Sequence, residues 1–398
     1  MMRVGVLGHT FVNWSGGLDF VRTVATALQA TAAPIDVHLL LPVDGPLLRA
    51  RTRLRALRDR VTGKAGAAPD RATIDAAVAT FGDRITVHHI DIGHRTLRLA
   101  CRRLGLDALI PALKPLPFGR EIPWVGYVWD FQHRHLPQLF KPRSIARRDA
   151  AFERMLRTAP SVIVNARAVA DDIRRFVPHA TARVFALPFS AQPDPSWFEQ
   201  PPPLAQYGIE APYFIVCNQF WKHKDHATAF RALAQLPDPC VQLVCTGSTS
   251  DFRDPAYFPS LMSQAQELGI AHRLRVLGLV PKLHQVALLR GSVALVQPTL
   301  SEGGPGGGAA CDAVSLGVPA LLSDIAVNRE IEERGVEFFH AGDAADLARR
   351  MQAMLGAPTE PRPSPQTLLA QGMARRTRCA EVLLESIETA RAVCGTRA

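Results

Sequence analysis

Short apolar runs alternate with helix-like stretches along most of this chain, and that alternation limits its fold more than any other feature. Runs at 3–7, 35–41, 85–92, 122–129 and 161–164 read as strands. Stretches at 18–28, 145–157 and 166–176 read as helices. The rhythm then stops at 192–212, where Pro193, Pro195, Pro201, Pro202, Pro203 and Pro212 oppose regular structure and stiffen the chain. It restarts with apolar runs at 213–217, 241–246, 274–277, 293–297, 319–322 and 336–339. Strands joined through helices form parallel sheets covered on both faces. The expectation is two doubly wound α/β domains, with ligands at the carboxyl ends of the strands. The proposed boundaries are 1–200, 201–365 and a final amphipathic helix, 366–398, free to pack back on the N-terminal domain.

The segment 299–317 carries the most chemistry. An apolar strand leads into Glu302-Gly303-Gly304-Pro305-Gly306-Gly307-Gly308, and a helical stretch, about 308–316, leads out. Bare backbone N–H groups at a helix start stabilise an anion such as a diphosphate. The carboxylates Glu302 and Asp312 cannot favour phosphate, but they accept hydrogen bonds from hydroxyl groups. Donors for phosphate beside acceptors for hydroxyls indicate a nucleotide-sugar site.

The chain has 398 residues and a formal charge of +10, which implies affinity for something anionic. Arginines crowd 49–60 (Arg49, Arg51, Arg53, Arg55, Arg58, Arg60), and Arg95, Arg98, Arg102 and Arg103 form a second group. These read either as solvated helix faces or as contacts to an anionic membrane surface. The basic stretches lack interleaved aromatics, so nucleic acid is not an expected partner. No segment reaches the roughly 20 apolar residues needed to span a bilayer. Seven cysteines without a Cys-x-x-Cys pair suggest reduced thiols and a cytoplasmic setting, peripheral to the inner membrane at most. His133 with His135, and His223 with Asp225 and His226, lack a third ligand at metal-site spacing, so no metal is expected.

Three blocks resemble the retaining nucleotide-sugar glycosyltransferases of the GT-B fold, and among them glycosyltransferase family 4. They are Tyr213-Phe-Ile-Val-Cys-Asn-Gln-Phe-Trp-Lys-His-Lys-Asp-His226, Val276-Leu-Gly-Leu-Val-Pro281, and Gln297-Pro-Thr-Leu-Ser-Glu-Gly-Gly-Pro running on to Asp312 and Pro319. Gly16-Gly17-Leu18-Asp19 and Asp130-Phe-Gln-His133 extend the likeness more thinly into the N-terminal half. The resemblance implies the GT-B fold: α/β, two doubly wound Rossmann-like domains with a central cleft. The usual third block is Glu-x7-Glu; here Glu302 and Asp312 make Glu-x9-Asp, similar to a glycine-rich Glu-Gly-Gly-Pro-Gly-Gly subgroup.

By resemblance, Glu302 binds donor-sugar hydroxyls, Asp312 the ribose, and the backbone of Gly303, Gly304, Pro305, Gly306 and Gly307 the sugar and diphosphate. Lys224 meets the diphosphate. The arginine that family members place five residues earlier is Gln219 here, and Lys222 is the candidate replacement. Gly16 and Gly17 allow close approach to phosphate and acceptor. Val280 meets the base edge through its backbone, and His133 is a catalytic candidate with Lys224 and Glu302. The implied reaction moves a hexosyl group to an acceptor hydroxyl with retention. Its partners are a nucleotide-sugar donor and a glycan or lipid-linked acceptor in bacterial surface-polysaccharide or glycoconjugate synthesis. No cofactor or essential metal is implied. Rival readings are a nucleotide-sugar epimerase, a sugar phosphorylase, or a non-catalytic binding subunit on the same fold.

Overall fold

A computed structural model describes residues 1–12, 16–42, 81, 84–91, 93–119, 121–210, 212–251, 253–357 and 361–395. These form two compact units. The first comprises Met1–Phe131, Lys141–Ser190 and Arg376–Ala398; the second comprises Gln132–Phe140 and Ala191–Arg375.

The first unit holds a seven-stranded, all-parallel sheet. Its strands are β1 (Met2–Leu7), β2 (Ile35–Pro42), β3 (Ile85–Ile90), β4 (Ala108–Ala112), β5 (Trp124–Tyr127), β6 (Ser161–Val164) and β7 (Arg183–Ala186). Their order across the sheet is β3-β2-β1-β4-β5-β6-β7. The switch in direction between β1 and β4 is that of a doubly wound sheet. Helices α1 (Gly17–Gln29), α2 (His94–Leu104), the short α3 (Gln132–His135), α4 (Pro142–Thr158) and α5 (Arg167–Phe176) follow the chain, with α3 counted in the second unit. Val4 and Val6 of β1, Leu39 and Leu41 of β2, and Val21, Val24 and Leu28 of α1 share one core. Parallel strands covered on both faces bury both sets of side chains, so their sequences read as unbroken apolar runs.

Two strands and a helix escape the apolar rhythm. Pro111 argues against a central strand at 108–112, because proline cannot donate to the ladder. In the structure Pro111 falls where the β4–β5 register shifts, between Leu109 and Ala112. β7 is short, at the sheet edge and only partly buried. α2 carries the second arginine group. Two of those cations bracket one carboxylate: Arg98 Nε lies 3.3 Å from Glu121 Oε2, and Arg102 Nε donates to Glu121 Oε1 at 2.9 Å. The arginine-rich stretch 49–60 lies outside the described residues.

The second unit repeats the plan with six parallel strands: β8 (Tyr213–Cys217), β9 (Gln242–Thr246), β10 (Leu274–Gly278), β11 (Leu295–Gln297), β12 (Ala320–Ser323) and β13 (Val336–Phe339). The order is β10-β9-β8-β11-β12-β13. Helices α6 (His226–Ala234), α7 (Tyr257–Glu267), α8 (Lys282–Gly291), α9 (Gly307–Ser315) and α10 (Ala344–Gly356) cover it. Phe214 and Val216 of β8, Val296 of β11, Phe230 and Leu233 of α6, and Leu347 and Met351 of α10 form its core. The last helix, α11 (Pro365–Gly395), belongs to the second unit up to Arg375 and to the first beyond it. No helix among the described residues is long and apolar enough to cross a membrane.

Candidate active site

The topology of the second unit dictates where a ligand is held. β8 and β11 are neighbours whose following connections leave in opposite directions, so a crevice opens beyond their carboxyl ends. The loop after β8 carries Lys224, and the loop after β11 carries Glu302 and the glycines. Two bonds hold these loops together, and a third ties the second loop to β12. Leu300 N donates to His223 O at 2.8 Å, Thr299 Oγ1 donates to the same carbonyl at 3.2 Å, and Ser323 Oγ donates to Thr299 O at 2.5 Å. Gly247, after β9, has φ +119°, and a Cβ there would lie 2.3 Å from Asn218 O. Only glycine permits that approach.

At the crevice, Lys224 Nζ donates to Glu302 Oε1. Their side chains are 14% and 10% exposed, which removes the pair from most solvent screening. Gln297 Nε2 donates to the same carboxylate oxygen at 3.1 Å and to Gly306 O at 2.9 Å. Asn218 Nδ2 in turn donates to Gln297 Oε1 at 2.5 Å. Glu302 is therefore aimed by a chain of buried amides.

Gly306 and Gly307 have φ of +62° and +61° and bring the chain into α9. Gly306 N donates to Oδ1 of the fully buried Asn328 at 2.9 Å. A Cβ on Gly307 would sit 3.2 Å from Glu302 Oε2, so the glycine leaves room for the carboxylate. The helix that starts here has first-turn N–H groups without intrahelical acceptors; that of Gly307 donates to Gly304 O at 3.1 Å. The arrangement supplies positive potential and backbone donors next to one well-positioned carboxylate.

Burial also sets which groups near Lys224 carry charge. The His223 imidazole is pushed down to about 2 by burial, with Lys224 and Arg253 adding repulsion. His226, fully buried, is pushed down to about 3 by burial and Lys224. Both are neutral at physiological pH, and the His226 ring stacks on Phe220 at 4.0 Å. Asp225 has φ +49° and starts α6, its carboxylate accepting from Thr228 Oγ1 at 2.6 Å. Burial raises the Asp225 carboxyl above the ordinary range.

The remaining sequence-based candidates are placed as follows. Asp312 lies on α9 and pairs with Lys282 Nζ, whose ammonium stands 4.9 Å from the Trp197 ring centroid. Lys222 turns to Asp254, its Nζ 3.5 Å from Oδ2, with the side chain 56% exposed. Gln219 lies in the β8 loop beside Gly247. Val280 is half-buried, between β10 and α8. Gly303, Gly304 and the buried Pro305 form the bend before α9. His133 is fully buried on α3, edge-on to Phe140 at 6.2 Å, and belongs to the second unit. Gly16 and Gly17 begin α1 in the first unit, and a Cβ on Gly17 would lie 2.5 Å from Phe11 O. Lys224, Glu302, Gly306 and Gly307 are thus brought together directly. Among the described residues no group of three His, Cys, Asp or Glu side chains is arranged to hold a metal.

Sequence reasoning missed Asn218, Gln297, Lys282 and Asn328 as site residues. Asn218 and Gln297 had a signal: each is an amide ending or following an otherwise apolar buried strand. Lys282 and Asn328 had none, since only the folded chain sets them against Asp312 and Gly306.

Residues 205–364 match the family described as Glycosyl transferases group 1. Comparison with curated proteins yields no sequence match. Among solved structures, the chain is similar to sucrose-phosphate synthase (tll1590) from Thermosynechococcus elongatus, with TM-score 0.61 and 18% identity over 97% of this chain and 96% of that one. It is similar to Anabaena Alr3699/HepE in complex with UDP-glucose, with TM-score 0.59 and 16% identity over 100% and 99%. It is also similar to WaaG, a glycosyltransferase involved in lipopolysaccharide biosynthesis, with TM-score 0.55 and 13% identity over 99% and 100%. At such identities the likeness establishes the fold, two doubly wound units of the GT-B type. The family match covers the segment that holds Lys224 and Glu302.

Proposed function

We propose that this chain is a group 1 glycosyltransferase, a retaining enzyme of the family 4 kind. It transfers a hexosyl group from a nucleotide-sugar to an acceptor hydroxyl in the assembly of a surface polysaccharide or glycoconjugate. The observation that carries the reading is the buried Lys224–Glu302 pair beside the Gly306–Gly307 entry to α9. A diphosphate needs concentrated positive potential, which Lys224 and the α9 N–H groups offer. A sugar needs oriented hydroxyl acceptors, which Glu302 offers. The UDP-glucose complex of the similar Anabaena protein makes a uridine donor the first to try. The involvement of WaaG in lipopolysaccharide biosynthesis supports the cell-surface setting, and the proposal puts the reaction on the cytoplasmic side.

In the proposed reaction the bond from the anomeric carbon to the diphosphate oxygen breaks, and its electron pair leaves with the phosphate. The acceptor oxygen attacks the same face, and its proton passes to the departing phosphate oxygen. Lys224 stabilises the charge that develops there. Asp312 accepts from the ribose, Val280 meets the base through its backbone, and His133 stands near the transferred sugar. Gly16 and Gly17 let the backbone approach the donor phosphate and the acceptor closely. The reading assigns no essential cofactor, so EDTA is expected to leave turnover unchanged.

The test is a panel of UDP-, GDP-, ADP- and dTDP-sugars, following nucleoside diphosphate release with a Lys224→Ala/Glu302→Ala control. Release from one donor, lost in the control, supports the reading; NMR of the product anomeric proton then checks retention. Calorimetry showing that no nucleotide binds at all would refute it.

A further inference from the structure

The second unit holds a cavity of about 130 Å³ that the reaction above leaves unused. That is several times the space a single water requires. Three segments of this unit wall it: the turn after β8 with Lys222 and His223, the loop after β9 with Asp251, Arg253 and Asp254, and the segment 132–140 with Gln138. In the sheet β9 flanks β8 on the side away from β11. The cavity therefore opens on the β9 side of the loop that carries Lys224, and Glu302 approaches from the β11 side.

The walls are fixed in place. Asp251, whose side chain is 2% exposed, accepts from Arg253 N at 2.9 Å and from Lys222 N at 3.4 Å, joining both loops. The Arg253 guanidinium lies 5.1 Å from the Trp221 ring and 5.6 Å from the Phe140 ring, and donates to Gln132 Oε1 at 3.4 Å. His223 is 5% exposed, and its Nδ1 has no hydrogen-bond partner among the described residues.

The charges decide the ligand class. Lys222 and Arg253 are offset by Asp251 and Asp254, and His223 is neutral. An anion would meet two carboxylates, and a cation would meet two basic side chains. A ring of hydroxyls, each both donor and acceptor, suits such a mixed lining. We propose that this cavity is a second sugar subsite, which seats a neutral ring of the acceptor on the β9 side of the Lys224 loop. The proposal rests on the glycosyl-transfer reading and adds to it the acceptor's polarity and the residues that orient it. Arg253 and Asp254 are its principal contacts.

The experiment is saturation-transfer NMR of the full-length protein with four probes: the methyl α-glycosides of glucose, mannose, galactose and rhamnose. UDP and GDP are tested separately as companions, and nucleotide binding is followed by calorimetry. At least one glycoside is expected to bind. Arg253→Met and Asp254→Asn should each weaken it about ten-fold, the effect of removing a charge-assisted hydrogen bond. Glu302→Ala should leave it bound. Binding of no glycoside, or binding untouched by both variants, overturns the subsite. So does binding lost in Glu302→Ala but kept in Arg253→Met, which would place the ring in the donor site. Asp254→Asn, at a partly exposed position, keeps the test open if Arg253→Met fails to fold. Absence of nucleotide binding with glycoside binding intact would sink the transferase reading alone.

Discussion

For Lys224 and Glu302 a structural role and the proposed catalytic role are separable by experiment. Removing either partner leaves a charge in a largely buried place, which costs about 3–5 kcal/mol when the pair is well buried. Lys224→Met and Glu302→Gln are each expected to lower the urea midpoint, whereas the double variant recovers much of that loss. Activity should not recover: on the proposed reading Lys224→Met lowers kcat about 10²–10³-fold alone or in combination. Equal recovery of stability and activity would mean that the pair is purely structural. The neighbouring histidines predict a pH dependence. His223 and His226 titrate near 2 and 3 in the folded chain, well below their ordinary 6.5. Between pH 6.5 and about 3 the unfolded chain therefore binds more protons, and stability falls as pH falls. Each histidine contributes about 2 kcal/mol of loss between pH 6.5 and 5. Urea titrations at these two pH values measure it, and His226→Phe, which keeps a ring against Phe220, should reduce the slope. Asp225, with its carboxyl raised, works in the opposite sense and only nearer the carboxylate range.

At the scale of an element, the entry to α9 is a graded series of glycines. A Cβ on Gly306 would fall 2.1 Å from the Ala310 Cβ at φ +62°, so Gly306→Ala combines a clash with a left-handed backbone. A loss of about 3 kcal/mol or more is expected. Gly307→Ala meets only the Glu302 carboxylate, at 3.2 Å, and should cost about 1–2 kcal/mol while displacing that carboxylate and weakening donor binding. Gly308 has nothing within 4 Å and an ordinary helical backbone, so Gly308→Ala should stabilise by about 0.5–1 kcal/mol. Thermal unfolding of the three variants checks the order. The glycine run was conspicuous in the sequence, but its three positions look alike there. Only the φ angles and the packing of Ala310 and Glu302 tell them apart.

At the scale of the molecule, α11 contributes to the core of the first unit. Cys379, Ala380, Leu383, Ile387 and Ala390 recur at three- and four-residue steps and are buried in the same core as residues of β1, β2 and α1. Ser161 Oγ of β6 donates to Ser386 O at 2.8 Å. Leu383→Ala is expected to destabilise by about 2–5 kcal/mol, whereas changing the exposed Val393 to alanine should have little effect. Chemical denaturation of both variants reads the difference; equal small effects would mean that the helix end is not part of this core. The same packing protects thiols. Burial pushes Cys101 and Cys379 up to about 12, so alkylation of the native protein should reach exposed Cys240 before either.

The parallel α/β plan was legible because strands buried on both faces must be apolar throughout, and the helices between them must be periodic. The proline-rich break, the glycine run and its flanking carboxylates were legible for a similar reason: each residue type is required by local backbone geometry or by the chemistry it offers. Strand β4 was not, because Pro111 argues against a central strand and the β4–β5 register shift at its position has no local signature. The partners of the site were not either. Lys224 reaches Glu302 across 78 positions, Asn218 reaches Gln297 across 79, and Lys282 reaches Asp312 across 30. The first two pairs exist only after the sheet order places β8 beside β11, the third only after α8 and α9 are packed, and no local pattern encodes either adjacency.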